Sequence, residues 1–456
     1  MGDRAEHPRV VVHRHGAILA GFRTIYCATT IAQFMVRNMT SYRTLAHNRD
    51  FTVLWCAQTI SELGSRVSSF AMPLVGYAMT GSAFWAAAAE AAYLLGMVVM
   101  LLPGGVLADR CDRRRLMRLS HGGGALLYAS LVTAGMLDVL TLPHLLLVAL
   151  LTGLAAGLFV PAEGSAIRTV VAADDLPTAL SQQQARQHVA SLVGGPLGGA
   201  LVAATRWAPF LFDAITYAAG WVLLGRIRAD LSGRPQAGTG RALHDLGVGL
   251  RFTWSRPFFR VLLLWSPLIN LTVNALFFVA LLRLVEAGFP AFQIGLVEAT
   301  IGSCGILGAL AAPWLIDRLA TGTLTVAVAW SFVPLSVPLA LWNHPVVMAA
   351  AASVGLFLNP AGNAGVGSYR MAVTPSELVG RVQSAMQFTS MLSMPLAPAL
   401  AGALLTGLGG PAAVLALTGL TAAVALIPTL STSVRSVPRP ADWPRYETPI
   451  VASAAA

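Results

Sequence analysis

Gly104-Gly105-Val106-Leu107-Ala108-Asp109-Arg110-Cys111-Asp112-Arg113-Arg114-Arg115 separates two long apolar runs. The glycines let a helix end approach a neighbour closely. The Asp-Arg pair falls where the apolar residues stop, and Asp109 is placed to accept hydrogen bonds from a neighbouring helix N-terminus. The arginines that follow suit the anionic surface of a membrane. A simple basic anchor explains the arginines but not the spacing of the glycines and Asp109.

Outward from this stretch the chain is overwhelmingly apolar. Its 456 residues are 56% hydrophobic and 11% charged, against roughly 25% charged in soluble domains. Apolar runs near the roughly 20 residues needed to cross a bilayer recur from end to end. The net charge is +10, with arginine as the only long-chain basic residue. The arginines cluster at the ends of apolar runs, which fits a membrane protein better than a nucleic-acid binder. Cys27, Cys56, Cys111 and Cys304 form no CxxC pair and have no histidine cluster beside them, so neither a disulfide framework nor a metal site is expected.

Twelve spans are predicted. Six lie near residues 53–79, 83–108, 116–140, 142–162, 179–204 and 207–224, and six near 258–284, 291–316, 324–341, 346–369, 379–406 and 412–430. The fold class is therefore all-α integral membrane, with domains at 49–229 and 258–432. Residues 1–48 read as a cytoplasmic tail, either disordered or an over-extended start, and 433–456 as a cytoplasmic C-terminal tail. The linker 230–257 opens with a loose segment, 233–240. Leu243, Leu246, Leu250 and Trp254 then recur at helical spacing, as in an amphipathic helix on the membrane face; an ordered linker without a regulatory role is the simpler reading. Arginines crowd the 2–3 and 6–7 connections and the tail, whereas the opposite loops hold little beyond Arg206 and Arg283. The positive-inside rule then requires an even number of spans, with both termini in the cytoplasm of a plasma-membrane protein.

The two halves repeat one another. Gly157-Leu158-Phe159 with Pro161-Ala162 returns as Gly355-Leu356-Phe357 with Pro360-Ala361; Asp109-Arg110 returns as Asp317-Arg318; Pro196-Leu197 returns as Pro395-Leu396. An offset of about 200 residues in all three places implies two parallel six-helix bundles, with a site between them near the midplane.

The 104–115 stretch resembles the loop 2–3 signature of the major facilitator superfamily, in which Gly105, Asp109, Arg110, Arg113 and Arg114, with Asp317 and Arg318 in the second half, would form the gating motif. Residues 48–51, 64–69 and 74–82 resemble the first helix of its enterobactin-exporter and macrolide-efflux branch. So do Phe159-Val160-Pro161-Ala162 and residues 373–382. The likeness extends over residues 41–431. It implies efflux of amphiphilic small molecules driven by a proton gradient, with no bound cofactor. Two features depart from the drug–proton antiporters of that family. Their span-five Gly-Pro-x-x-Gly-Gly signature is one residue short here, as Gly195-Pro196-Leu197-Gly198-Gly199, and residues 145–157 carry no arginine.

Ionisable groups at bilayer depth are costly, roughly 2.5–3.5 kcal/mol on insertion scales, and usually face a cavity. Gln58, Glu62, Arg66 and Ser69 fall on one stripe of the first span. Glu62 then reads either as a proton-linked or cation-recognising carboxylate with Arg66 as switchable partner, or as half of a static ion pair. Glu90 and Glu298 occupy corresponding places in the halves and suit coupling or, more simply, packing. Glu163 points to a gate contact with Arg168 or Arg370. Candidate cavity groups are Asn270 and Asn274 (with Ser266 on the same stripe), Asn359 and Asn363, and Gln187, His188 and Gln387; interhelical hydrogen bonding is the competing role. Gln183, Gln184 and Gln383 belong to the same glutamine-rich stretches.

Three functions remain open from sequence. The first is a proton-driven exporter of an antibiotic, siderophore or other secondary metabolite. The second is a proton-coupled importer. The third, a membrane-embedded enzyme or scaffold, lacks a His box, an HExxH or a Ser–His pair, and GxGxxG and P-loop signatures are also missing. The expected partners are a small-molecule substrate and the lipid bilayer, with no nucleic acid, and the chain is expected to be a monomer.

Overall fold

A computed structural model describes residues 43–172, 175–232, 242–375 and 378–443. The expectations for Cys27, for the segment 233–240 and for most of both tails fall outside these residues. The described residues are helical, with no strand among them. The first bundle contains α1 (Arg49–Thr80), α2 (Ala83–Arg110), α3 (Arg113–Met136), α4 (Leu142–Val170), α5 (Leu176–Ala204) and α6 (Ala208–Leu224). The second contains α7 (Pro257–Glu286), α8 (Ala291–Arg318), α9 (Thr321–Leu341), α10 (Pro345–Ala372), α11 (Val379–Leu408) and α12 (Gly410–Leu430). Among the described residues, eight helices are long and apolar enough to cross a membrane, and α6 is a shorter apolar helix.

Several helices outrun the predicted spans, because backbone hydrogen bonding continues past the apolar segment wherever a cap satisfies the exposed N–H groups. Thus α1 begins at Arg49. There the Asn48 side chain accepts from the Phe51 amide at 3.1 Å and donates to the Val170 carbonyl of α4 at 2.7 Å. The Asp50 carboxylate accepts from the Arg228 and Ala229 amides, pinning the chain beyond α6 to α1. At the other end Gly81 closes α1 in the left-handed region, at φ 63°, where a glycine pays no steric cost.

Three predicted spans are interrupted. α9 breaks at Ser331 and Phe332, α10 at Leu358, and α11 at residues 393–395. A proline follows or forms each break: Pro334, Pro360 and Pro395. Proline lacks the N–H for the helical ladder and disfavours helical geometry in the residue before it. Ser331 repairs part of the loss by donating to the Gly355 carbonyl at 2.9 Å.

Between the bundles lies a linker helix, Ala242–Ser255. It packs on α11, where Gly249 sits so close to the Arg381 carbonyl that no Cβ would fit. Trp254 is exposed, while Gly249 and Thr253 are buried. The helix turns its small residues inward because α11 comes too close for an indole.

The packing cores show how the bundles meet. One core draws on both halves, joining Phe70, Leu74, Ala83, Ala86 and Ala87 to residues of α7, α8 and α11. It lies toward the end opposite the Arg-rich loops. There the α5 residues Gly195 and Gly199 press against Gly295 and Ala291 of α8, and Gly402 of α11 against Phe84 and Ala87 of α2. Toward the Arg-rich end each half has its own core, around Leu54, Met117 and Ile167 in the first and Phe259, Trp265 and Met386 in the second. The halves are therefore closed on one side and hold separate cores on the other.

Candidate functional site

A cavity of about 740 Å³ lies between the halves. Its apolar walls include Phe70, Phe159, Phe277, Phe278 and Met348. The predicted α1 stripe lines it: Gln58, Glu62, Arg66 and Ser69 all face the space, as residues spaced three and four apart on a helix must. Arg66 Nε donates to Glu62 Oε1 at 3.1 Å, with both side chains partly exposed to the cavity. Glu90 of α2 and Glu298 of α8 face the same space from opposite halves, both within electrostatic reach of Arg66. Arg66 is ion-paired to Glu62 alone, with the other two carboxylates on the wall of the same cavity.

The α5 glycines make this arrangement possible. A Cβ on Gly194 would collide with Arg66, and one on Gly195 would lie 2.8 Å from Glu298 Oε2. Gly198 abuts Val67 and Phe70 of α1, and Gly199 abuts Ala291 and Phe292 of α8. Although a residue short of the antiporter signature, this tract with Pro196 lets α5 pass closely between α1 and α8.

Deeper toward the Arg-rich end is a buried ion pair. Arg186 of α5 binds Glu163 of α4 at 3.0 Å, the two side chains being 4% and 7% exposed. Arg186 also donates to Gln58 of α1, and Gln183 donates to Glu163 at 3.1 Å. The expected contact of Glu163 with Arg168 or Arg370 is not made. Arg168 turns back to the Gly164 carbonyl, and Arg370 binds Gln383 at 3.2 Å. Sequence reading passed over Arg186 while noting the glutamines on either side of it, although an arginine inside an apolar span was itself the signal. The same holds for Asp213 on α6.

The amides divide. Asn274 and Gln187 line the cavity. Asn270, Asn359, Asn363, His188 and Gln387 are not among its lining residues, which corrects the sequence expectation. Asn363 donates to Asn359 at 2.6 Å, so that pair braces the broken part of α10. Asn274 spends a donor on the Asn270 carbonyl at 2.7 Å, and Ser266 pairs with Ser390 of α11 at 3.0 Å. His188 and Gln387 are exposed. In nearly uniform apolar helices the 3.6-residue period carries little information about which face turns inward.

The loop motif also differs in detail from expectation. Asp109 is exposed, with neither a hydrogen bond nor an ion pair among the described residues. The capping role belongs to Asp112, whose side chain accepts from the Arg114 amide at 2.8 Å. Arg113 donates to the Ala108 carbonyl and to Thr169 of α4, and Arg114 to the Ala229 carbonyl beyond α6. The close approach is made by Gly104, which meets Gly157 of α4, while Gly105 faces open space. Arg110, Asp317 and Arg318 are exposed, and Arg318 stacks over Trp314 at 4.7 Å.

Comparison with known proteins gives a consistent picture. The model of the Major Facilitator Superfamily matches residues 54–358. Enterobactin exporter EntS of Citrobacter koseri (strain ATCC BAA-895 / CDC 4225-83 / SGSC4696) is 26% identical over 290 residues, covering 63% of this chain and 69% of that protein. Among solved structures, a point mutant of the nucleoside transporter NupG superposes with a TM-score of 0.68 at 12% identity, covering 83% of this chain and 99% of the other. A bacterial homologue of the iron transporter ferroportin in its inward-facing state gives 0.64 at 16% identity, covering 85% and 98%. At such identities the structures establish a shared fold.

Proposed function

This chain belongs to the Major Facilitator Superfamily, and on that premise we propose that it exports an amphiphilic small molecule in exchange for protons. It is a transporter and not an enzyme; the direction, the coupling ion and the cargo are our reading. The observation that carries it is the Glu62–Arg66 pair on the wall of a mostly aromatic and aliphatic cavity that Glu90 and Glu298 also line. Apolar walls suit a ligand with a large hydrophobic body, and a few convergent charges orient it. A proton placed on Glu62 would release Arg66 to the other carboxylates, so substrate and proton can alternate at one charge cluster. The likeness to an enterobactin exporter supports the outward direction.

With the Arg-rich loops in the cytoplasm, the closed end faces outward and the cavity is inward-facing, the state from which an exporter loads. Both termini are then cytoplasmic, and the protein works as a monomer in the plasma membrane.

Inverted membrane vesicles test this with ethidium as an amphiphilic probe. Acidifying the lumen should drive ethidium inward in vesicles containing the protein and not in empty ones. A proton-coupled importer would instead accumulate its substrate in right-side-out vesicles with an acidic exterior. Glu62→Gln should abolish the gradient-driven uptake while the protein still reaches the membrane; full activity in that variant would remove Glu62 from the coupling.

A further inference from the structure

Asp213 is a fully buried acid in α6, on the side of α1 away from the cavity. The Thr216 hydroxyl lies 3.0 Å from its Oδ1, and Oδ2 meets no hydrogen-bond partner. Gly64 of α1 makes the room: a Cβ there would overlap both Thr216 Oγ1 and Asp213 Oδ1. Ser68, one turn further along α1, and Tyr128 of α3 face the same carboxyl, and the Ser68 hydroxyl is buried and unpartnered. The Tyr128 and Tyr217 rings stack at 5.8 Å.

The titratable groups around this acid offer it no cation. Tyr93 approaches from α2, Tyr128 from α3 and Tyr217 from α6 itself. His121 of α3 is 5.2 Å from the Tyr217 ring, and its Nδ1 is hydrogen-bonded to the Met117 carbonyl. On α1, Glu62 and Arg66 stand on the cavity face and are paired with each other. An ionised carboxylate in such a place is a buried charge with hydroxyl donors but no counter-charge, a costly arrangement. As a neutral acid, the same group supplies a donor to a site with unfilled oxygens.

The cavity end of a route is visible at Tyr217 and Ser65. Tyr217 stands four residues after Asp213, on the same face of α6. Its hydroxyl is 3.2 Å from Ser65 Oγ, and both residues line the cavity. We propose that Asp213 is a proton-binding site of the first bundle, loaded and emptied from the central cavity through the hydroxyls of Tyr217 and Ser65. In loading, a hydronium ion in the cavity gives one proton to the hydroxyl pair and is left as water, and the pair passes one proton to a carboxylate oxygen of Asp213. No electrons move, and unloading reverses the transfer. The proton also has a mechanical consequence. Losing it places a charge without a counter-ion beside Gly64 of α1, which water entry or a shift of α1 from α6 would relieve. α1 carries Glu62 and Arg66, so the proton on Asp213 and the charge cluster in the cavity are linked through one rigid helix.

Infrared difference spectroscopy of the purified full chain in nanodiscs, stepped from acidic to alkaline buffer, tests the site without any substrate. Its outcome is therefore independent of the direction of transport. The wild type should lose the carbonyl-stretch band of a protonated carboxyl in dry surroundings. That band should be missing in Asp213→Asn and retained in Glu62→Gln. Tyr217→Phe preserves the ring packing and should keep the band but slow its response to a pH jump at least several-fold. A band that persists at every pH would make Asp213 a permanently protonated structural acid and overturn the proposal, as would a difference spectrum that Asp213→Asn leaves unchanged. An unaltered pH-jump rate in Tyr217→Phe would overturn the route through the hydroxyls.

Discussion

The two bundles repeat one another in sequence but are built differently where they face the cavity. The first contributes Glu62, Arg66, Glu90, Glu163 and Arg186 to the wall; the second contributes Glu298 and otherwise mostly apolar groups such as Phe277, Phe278, Met348 and Met394. The first is made of unbroken helices even where Pro73, Pro103, Pro161 and Pro196 lie inside them. In the second, α9, α10 and α11 are each divided. The repeat therefore preserved helix order and close-packing positions, while charge became concentrated in one half and breaks in the other. A continuous, charge-bearing bundle keeps its ionisable groups in fixed register, whereas a segmented apolar bundle supplies places where a helix can bend.

The largest expected effect strikes the buried charge of the first bundle. Removing one partner of a buried ion pair strands the other and costs about 3–5 kcal/mol. Glu163→Gln or Arg186→Met alone should therefore lower the thermal stability of the purified protein markedly. The double variant should recover most of the loss, because no uncompensated charge remains. Equal losses in single and double variants would mean that the Gln58 and Gln183 contacts, rather than the pair, hold α1, α4 and α5 together.

A second contrast concerns how tightly helices touch. In the first bundle a Cβ on Gly153 would run into the Tyr93 carbonyl of α2. Gly153→Ala should then cost about 1–3 kcal/mol through overpacking. In the second bundle Gly305 has only Leu356 Cδ2 nearby, at 3.7 Å, an ordinary contact, so Gly305→Ala should leave the melting temperature nearly unchanged. Comparable destabilisation by both would mean that the space beside a glycine does not set the cost of a methyl group at these two positions.

Much of this was legible before any coordinates. The apolar runs located the helices, and the spacing of Gln58, Glu62, Arg66 and Ser69 put them on one stripe of α1, which lines the cavity. What could not be read was the rotation of the remaining helices. Asn359 and Asn363 sit in a helix that is apolar nearly all round, so no polar face marked the inward side, whereas Asn270 shares a stripe with the cavity-lining Asn274 and Phe277. Pro360 and Pro395 were visible as repeat markers, but the same residue type is absorbed at Pro161 and broken at Pro360; tertiary packing decides between the two. The partner of Glu163 lay on α5, and only the close passage of α5 beside α4 brings Arg186 to it.

Glu298 gives an intermediate effect that tests the division of charge itself. It is the only charged residue that the second bundle places on the cavity wall among the described residues, and so that bundle's one ionic group available to a ligand there. A hydrogen bond to a charged group contributes about 1.5–3 kcal/mol. Glu298→Gln should therefore weaken gradient-driven ethidium transport about tenfold or more with little change in stability. Glu90→Gln, in a bundle that still holds Glu62, should weaken it less. The reverse order would place the dominant carboxylate in the first bundle alone.

The smallest effect separates two aspartates only three residues apart. Asp112 caps α3 through the Arg114 amide, and losing such a cap typically costs about 1 kcal/mol. Asp109 is exposed and unpartnered with the cavity closed on the side opposite the Arg-rich loops. In this state it stabilises nothing by contact, so Asp109→Asn should leave the melting temperature where it is. Its carboxylate becomes useful only when the halves meet on its own side and a helix N-terminus from the second bundle comes within reach. The two variants should therefore part company by assay. Asp112→Ala should lower stability while sparing much of the transport, and Asp109→Asn should slow ethidium transport at unchanged stability. If Asp109→Asn alters neither, the closed state on the Arg-rich side does not draw on Asp109, and the gating role suggested by its place after Gly104 and Gly105 passes to Arg113 and Arg114, whose contacts already tie α2 to α4 and to the chain beyond α6.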